Sequence, residues 1–148
     1  MKVVYWNTKG CSIKYILDIL SDLRPDFLFL AESDDDVIEG NEGLLDAINY
    51  EYFENPGCFR VKVIKEKSIV CNLNLQNSYY TVLYLPIQDL YIISLHLPSQ
   101  LYNSFDGLKN FVRRMRENID VNIGKSNDTR VLIIGDFNVN PFESPMIG

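Results

Sequence analysis

Val3-Val4-Tyr5-Trp6-Asn7 is a short apolar run closing on a polar residue, and Phe27-Leu28-Phe29-Leu30-Ala31-Glu32 repeats that form after Pro25-Asp26. Between them Ile13, Ile16, Leu17, Leu20 and Leu23 recur at helical spacing until Pro25, which cannot continue a helix. A strand, a helix of about three turns and a second strand make a βαβ unit. The two strands are therefore expected to run parallel with a right-handed crossover, which sets the class as α/β.

Working outward, Gly43 to Asn49 reads as a short helix. Phe59 to Ile64, Ser68 to Leu73, Tyr79 to Ile87 and Leu90 to Leu97 follow as short strands, with only Gln88-Asp89 between the last two, and read as an antiparallel meander. Leu108, Phe111, Val112, Met115 and Ile119 then place one apolar stripe on a helix that docks on a sheet, with Lys109, Arg113 and Arg116 on its solvated side. Val131-Leu132-Ile133-Ile134 is the last buried strand. The alternation of Arg60, Lys62, Lys65 and Lys67 reads as the solvent side of a hairpin, the tyrosines as strand-face packing, and Asp34-Asp35-Asp36 as a solvated loop.

A chain of 148 residues with 47% hydrophobic content suits one core, so a single domain over residues 1–148 is expected. Fourteen Lys and Arg against twenty Asp and Glu leave a net charge of -6, which excludes coating of nucleic acid or an anionic membrane by bulk charge. A phosphate-bearing substrate must then be met locally or through a bound cation. Cys11, Cys58 and Cys71 show no CxxC spacing and read as reduced and packed. No apolar run reaches the roughly 20 residues of a membrane helix, and the N-terminus lacks a signal-peptide pattern, so a cytoplasmic protein without a membrane partner is expected.

Four apolar runs end in a strongly polar side chain: Asn7, Glu32, His96 and Asp136. Polar residues at the carboxyl ends of parallel strands lie where an α/β sheet assembles a site, and His96 joins them if its strand has the same direction. A carboxylate beside an amide suits Mg²⁺ or Mn²⁺, which take oxygen ligands and keep several waters. Such a cation screens a phosphate ester and polarises its phosphoryl oxygen, Asp136 can orient or deprotonate a water, and His96 can donate to a phosphoryl or departing oxygen. Asn138 can share the rim. Singly, these residues also suit loops, caps and turns; it is the joint pattern that points to a site.

Taken in order, Tyr5-Trp6-Asn7, Pro25-Asp26 through Ala31-Glu32, Ser94-Leu95-His96-Leu97 and Gly135-Asp136-Phe137-Asn138 resemble the motifs of the endonuclease/exonuclease/phosphatase superfamily, the deoxyribonuclease I-like fold. The resemblance implies metal-dependent hydrolysis of a phosphodiester or phosphomonoester, nuclease-like, with nucleic acid the leading substrate. It implies Asn7 and Glu32 as holders of the Mg²⁺ or Mn²⁺, His96 and Asn138 on the substrate phosphate, and Asp136 on the attacking water. Ala31 stands where the family usually has Gln, and the family's terminal Asp-His pair has no counterpart, since His96 is the only histidine. The resemblance further implies two similar halves, each with a sheet. This chain is expected to supply about one half of that two-sheet, four-layer α/β sandwich and to be C-terminally incomplete. A bare sheet face would then be covered by a second copy or another chain. The other function class left open is a non-catalytic module that binds metal, phosphate or a partner.

Overall fold

The structure is a computed structural model that describes residues 1–98, 105–124 and 128–138. The opening βαβ unit is present: β1 (Val3–Asn7), α1 (Ile13–Leu23) and β2 (Phe27–Ala31). The α1 helix ends where Arg24 takes a left-handed conformation and donates its N–H to Leu20 O at 3.0 Å, immediately before Pro25. Strands β1 and β2 pair in parallel, from Val3 opposite Phe27 to Asn7 opposite Ala31.

After α2 (Glu42–Ala47) come β3 (Tyr50–Phe53) and β4 (Val61–Glu66), and the first sheet has the order β1-β2-β4-β3. Strands β5 (Asn72–Asn77), β6 (Tyr80–Leu85), β7 (Leu90–His96) and β8 (Arg130–Asp136) form the second sheet in sequence order, and α3 (Phe105–Ile123) links its last two strands. The expected four-stranded meander is thus corrected. Val61–Glu66 pairs with β2 and β3 in the first sheet, and only β5, β6 and β7 form a meander. The cause is β3, which the sequence pattern did not signal: Tyr50-Glu51-Tyr52-Phe53 is too short for its alternation to stand out.

The two sheets face one another. Phe27, Phe29, Val61 and Val63 of the first pack with Leu83, Leu85 and Ile92 of the second, all fully buried. Helices α1 and α2 cover the outer face of the first sheet through Ile16, Leu20 and Leu45, and α3 covers the second through Leu108 and Ile119. The α/β sandwich class stands, but the expectation of a single sheet is corrected: both sheets and all four layers are present. The last strand, expected to be buried, is half open, with Val131 40% and Ile133 53% exposed, so part of the second sheet's outer face stays bare. The long middle of the chain, read as one sheet, is divided between two, and each covers the other's apolar face. Burial of each large side chain here contributes roughly 1.5–3 kcal/mol, which is why the sheets close on each other.

The basic alternation is also corrected. Lys62 and Lys65 are 7% and 5% exposed, on opposite faces of β4. Lys62 Nζ donates to Asp34 O at 2.7 Å; Lys65 Nζ donates to Ile69 O at 2.9 Å and pairs with Glu51 Oε1 at 2.6 Å. Removing only the acid strands a buried cation, whereas an isosteric apolar residue removes the charge itself. Glu51→Ala is therefore expected to cost roughly 1–3 kcal/mol and Lys65→Met less, the order being readable from urea unfolding midpoints.

Candidate active site

The strand alternation carries the chemistry to one place. Val3 and Tyr5 face the core between the sheets, as do Phe27 and Phe29 on β2 and Leu90 and Ile92 on β7. Counting on by twos brings Asn7, Ala31, Ser94 and His96 to the same inner faces, and Leu132 and Ile134 bring Asp136. At this end the apolar core gives way to a polar cleft. Strands β7 and β8 are parallel, with His96 directly opposite Asp136, so the direction that His96 required is the one observed.

The two sheets meet in this cleft, where His96 Nε2 lies 3.5 Å from Glu32 Oε1. The imidazole is 4% exposed, while the Glu32 side chain is 42% exposed and open to solvent. Glu32 leaves β2 in a left-handed conformation, φ 51°, and its carbonyl accepts from Thr8 Oγ1 at 2.9 Å and from Gly10 N at 3.0 Å. Those bonds tie the turn after β1 to the turn after β2, fixing Asn7 beside Glu32. On the other sheet Leu97 N donates to Asp136 O at 2.9 Å, while Asn138 donates its backbone N–H to Asp136 Oδ1 at 2.9 Å and its side-chain amide to Leu97 O at 2.7 Å. Asn138 thus stands on the rim and braces the loop that presents Asp136.

Gly135 lies directly against the neighbouring parallel strand, opposite Leu95. A Cβ there would lie 2.0 Å from Leu95 O and 2.9 Å from Leu95 C, so no other residue fits without moving backbone.

Buried polar atoms normally have partners. Among the described residues the buried Asn55 Oδ1 lacks one, and so do Tyr5 OH, Asn7 Oδ1, Thr81 Oγ1, Ser94 Oγ and His96 Nδ1. The last five cluster at the polar end, where Thr81 and Ser94 are cross-strand neighbours. Asn7 Oδ1 is an orphaned oxygen acceptor at a strand end paired with Ala31, next in sequence to Glu32, and amide plus carboxylate is a donor set that fits a hard divalent cation. Among the described residues no group of three or more His, Cys, Asp and Glu side chains is arranged to hold a metal, so a cation here would keep most of its water, as Mg²⁺ does.

Sequence reasoning passed over Tyr5, Thr81 and Ser94. Tyr5 and Ser94 each lie two residues before a chosen residue on the same strand face, a signal that was available. Burial pushes the Tyr5 phenol up to about 12; the Asp136 backbone pulls the other way and the Asp136 and Glu32 carboxylates add to the rise, so it stays neutral at physiological pH. The Asp34–Asp36 segment enters a single 3-10 turn, Asp35–Val37, on the same side of the first sheet as Lys62.

Two mixed sheets packed face to face between helices, with a cleft of acid, amide and imidazole at the carboxyl ends of parallel strands, define a deoxyribonuclease I-like sandwich. The model of the Endonuclease/Exonuclease/phosphatase family matches residues 4–147, and the chain belongs to that family. No curated protein matches. Among solved structures the chain is similar to D. rerio TDP2 humanized by 14 mutations, at 18% identity and TM-score 0.69, covering 100% of this chain and 66% of that one. It is also similar to the human Nocturnin catalytic domain with bound sulfate anion (16%, TM-score 0.63, 99% and 68%). A third is an endonuclease/exonuclease/phosphatase family protein from Bacteroides thetaiotaomicron (9%, TM-score 0.69, 99% and 66%). The chain spans about two thirds of the length of these structures. Among the described residues no helix is long and apolar enough to cross a membrane.

Proposed function

We propose that this protein is a metal-dependent phosphodiesterase of the nuclease type. The observation that carries the reading is the convergence of four strand ends from both sheets, with Glu32 Oε1 3.5 Å from His96 Nε2 and Asp136 opposite His96. Family membership and the likeness to TDP2 and Nocturnin support it.

Asn7 and Glu32 would hold Mg²⁺ or Mn²⁺, which when bound supplies charge neutralisation at the phosphate and stabilises a leaving oxygen. The remaining roles fall to the chain's own groups. His96, buried and fixed by its strand, would donate through Nε2 to a phosphoryl oxygen. Asp136 accepts a proton from, or orients, the water that attacks phosphorus, held by the Asn138 backbone N–H at its Oδ1. Asn138 keeps a second amide hydrogen for the phosphate while its first braces Leu97 O. His96 being the sole histidine, the chain offers one imidazole, and the departing oxygen takes its proton from His96 or from water.

The first test is Mn²⁺ binding followed by thermal unfolding. A cation held by the folded state raises Tm with concentration, and Asn7→Ala together with Glu32→Ala is expected to remove that rise. The accompanying assay is hydrolysis of a chromogenic phosphodiester. A Tm rise without turnover, lost in the double variant, supports the binding-module reading; no Tm rise at millimolar Mn²⁺ overturns the metal assignment.

A further inference from the structure

The same end of the sandwich carries a second cluster beyond the four strand ends. His96 donates its N–H to Tyr79 O at 2.8 Å, and Arg60, just before β4, donates its N–H to Ser78 O at 3.1 Å. These bonds set Tyr79 beside His96 and bring Arg60 across from the first sheet. The Arg60 guanidinium lies 5.7 Å from the centroid of the Tyr79 ring. On α3, Phe111 meets that ring edge-on, with centroids 5.0 Å apart and planes at 76°. Tyr79 also lines a groove of about 270 Å³ with Pro98, Leu108, Asn110, Phe111 and Arg114.

Two other arginines of α3 are paired along the helix. Arg113 lies 3.8 Å from Glu117 and Arg116 4.0 Å from Asp120, one turn along the helix. Arg60 and Arg114 are exposed, and among the described residues neither is ion-paired with a carboxylate. In a chain of net charge -6, two guanidinium groups with no carboxylate partner among the described residues thus flank one half-buried aromatic ring.

We propose that the groove flanked by Arg60, Tyr79 and Arg114 binds single-stranded nucleic acid, holding nucleotides that flank the phosphate at His96. This deepens the proposed function and rests on it for where the strand leads. A guanidinium laid on an aromatic face keeps its outer N–H groups free for a phosphate, with less freedom to lose on binding. A half-buried ring in a groove suits an unstacked base, which a single strand offers and a duplex does not. Tyr79 thus both packs against Phe111 and lines the groove.

The experiment is fluorescence anisotropy of a labelled ten-nucleotide oligo-dT with the 148-residue chain in EDTA, so that no hydrolysis intervenes, across a range of salt. Arg60→Ala/Arg114→Ala is expected to weaken binding at least tenfold and lower the slope of log K against log salt by about 1.4, at ~0.7 per single-strand phosphate contact. Arg60→Lys is expected to keep the slope and lose part of the affinity. Arg113→Ala, outside the groove, is the control and leaves both unchanged. Equal affinity and slope for the double alanine variant and the parent overturn the proposal, as does a duplex bound as tightly as oligo-dT with the same arginine dependence. Diester turnover by the parent with no arginine dependence removes the groove and leaves the hydrolase reading intact. Arginine-dependent oligo-dT binding without any turnover does the reverse.

Discussion

Glu32→Ala is expected to lower turnover of a phosphodiester by on the order of 10²–10³-fold while leaving the unfolding midpoint of the metal-free protein within experimental error. Both halves of that expectation come from position. The Glu32 side chain is 42% exposed and its structural bonds are made by its carbonyl, through Thr8 Oγ1 and Gly10 N. Truncation at Cβ therefore removes the carboxylate without touching the turn that presents it. His96→Ala differs, because it opens a cavity at a residue 4% exposed and costs stability as well as rate. Parallel measurement of Mn²⁺-dependent turnover and urea unfolding for the two variants separates chemistry from folding. A Glu32→Ala protein that retains more than a tenth of the parent's rate would remove this carboxylate from the site.

The second large effect is structural. Gly135→Ala places a methyl group 2.0 Å from Leu95 O, and that oxygen is backbone in the neighbouring strand, so no rotamer change relieves the clash. Strands β7 and β8 must separate, at an expected cost of about 2–4 kcal/mol in urea unfolding. Leu95 and Gly135 are paired immediately before His96 and Asp136, so the same displacement pulls two candidate site residues apart. Turnover per folded molecule should fall along with stability. A loss under about 1 kcal/mol would overturn the close approach of Gly135 to Leu95 as the cause.

Much of this was legible in the chain itself. The βαβ opening, the carboxyl-end placement of Asn7 and Glu32, and the docking of α3 through Leu108 and Ile119 followed from periodicity and from Pro25. Those are local patterns, set by steric limits on the backbone and by apolar spacing. The partnership of strands was not legible. Val61–Glu66 has the same alternation whether it pairs with β2 or β5, and the choice fell to β2 because its valines then meet Phe27 and Phe29 in the core between the sheets. Lys62 and Lys65 misled for the same reason: alternation says which side chains share a face, not whether the face is wet.

The sequence by itself determined the α/β class, the family motifs and the residue types that can hold a cation and a phosphate, because these depend on neighbours along the chain. Only the tertiary structure decided that two sheets, not one, bury each other's faces, that Glu32 and His96 from different sheets lie 3.5 Å apart, and that Tyr5, Thr81 and Ser94 share their cleft. The physical reason is that burial of apolar area is non-directional and collective. It selects which faces come together across the whole chain, and the polar strand ends follow their strands into one cleft.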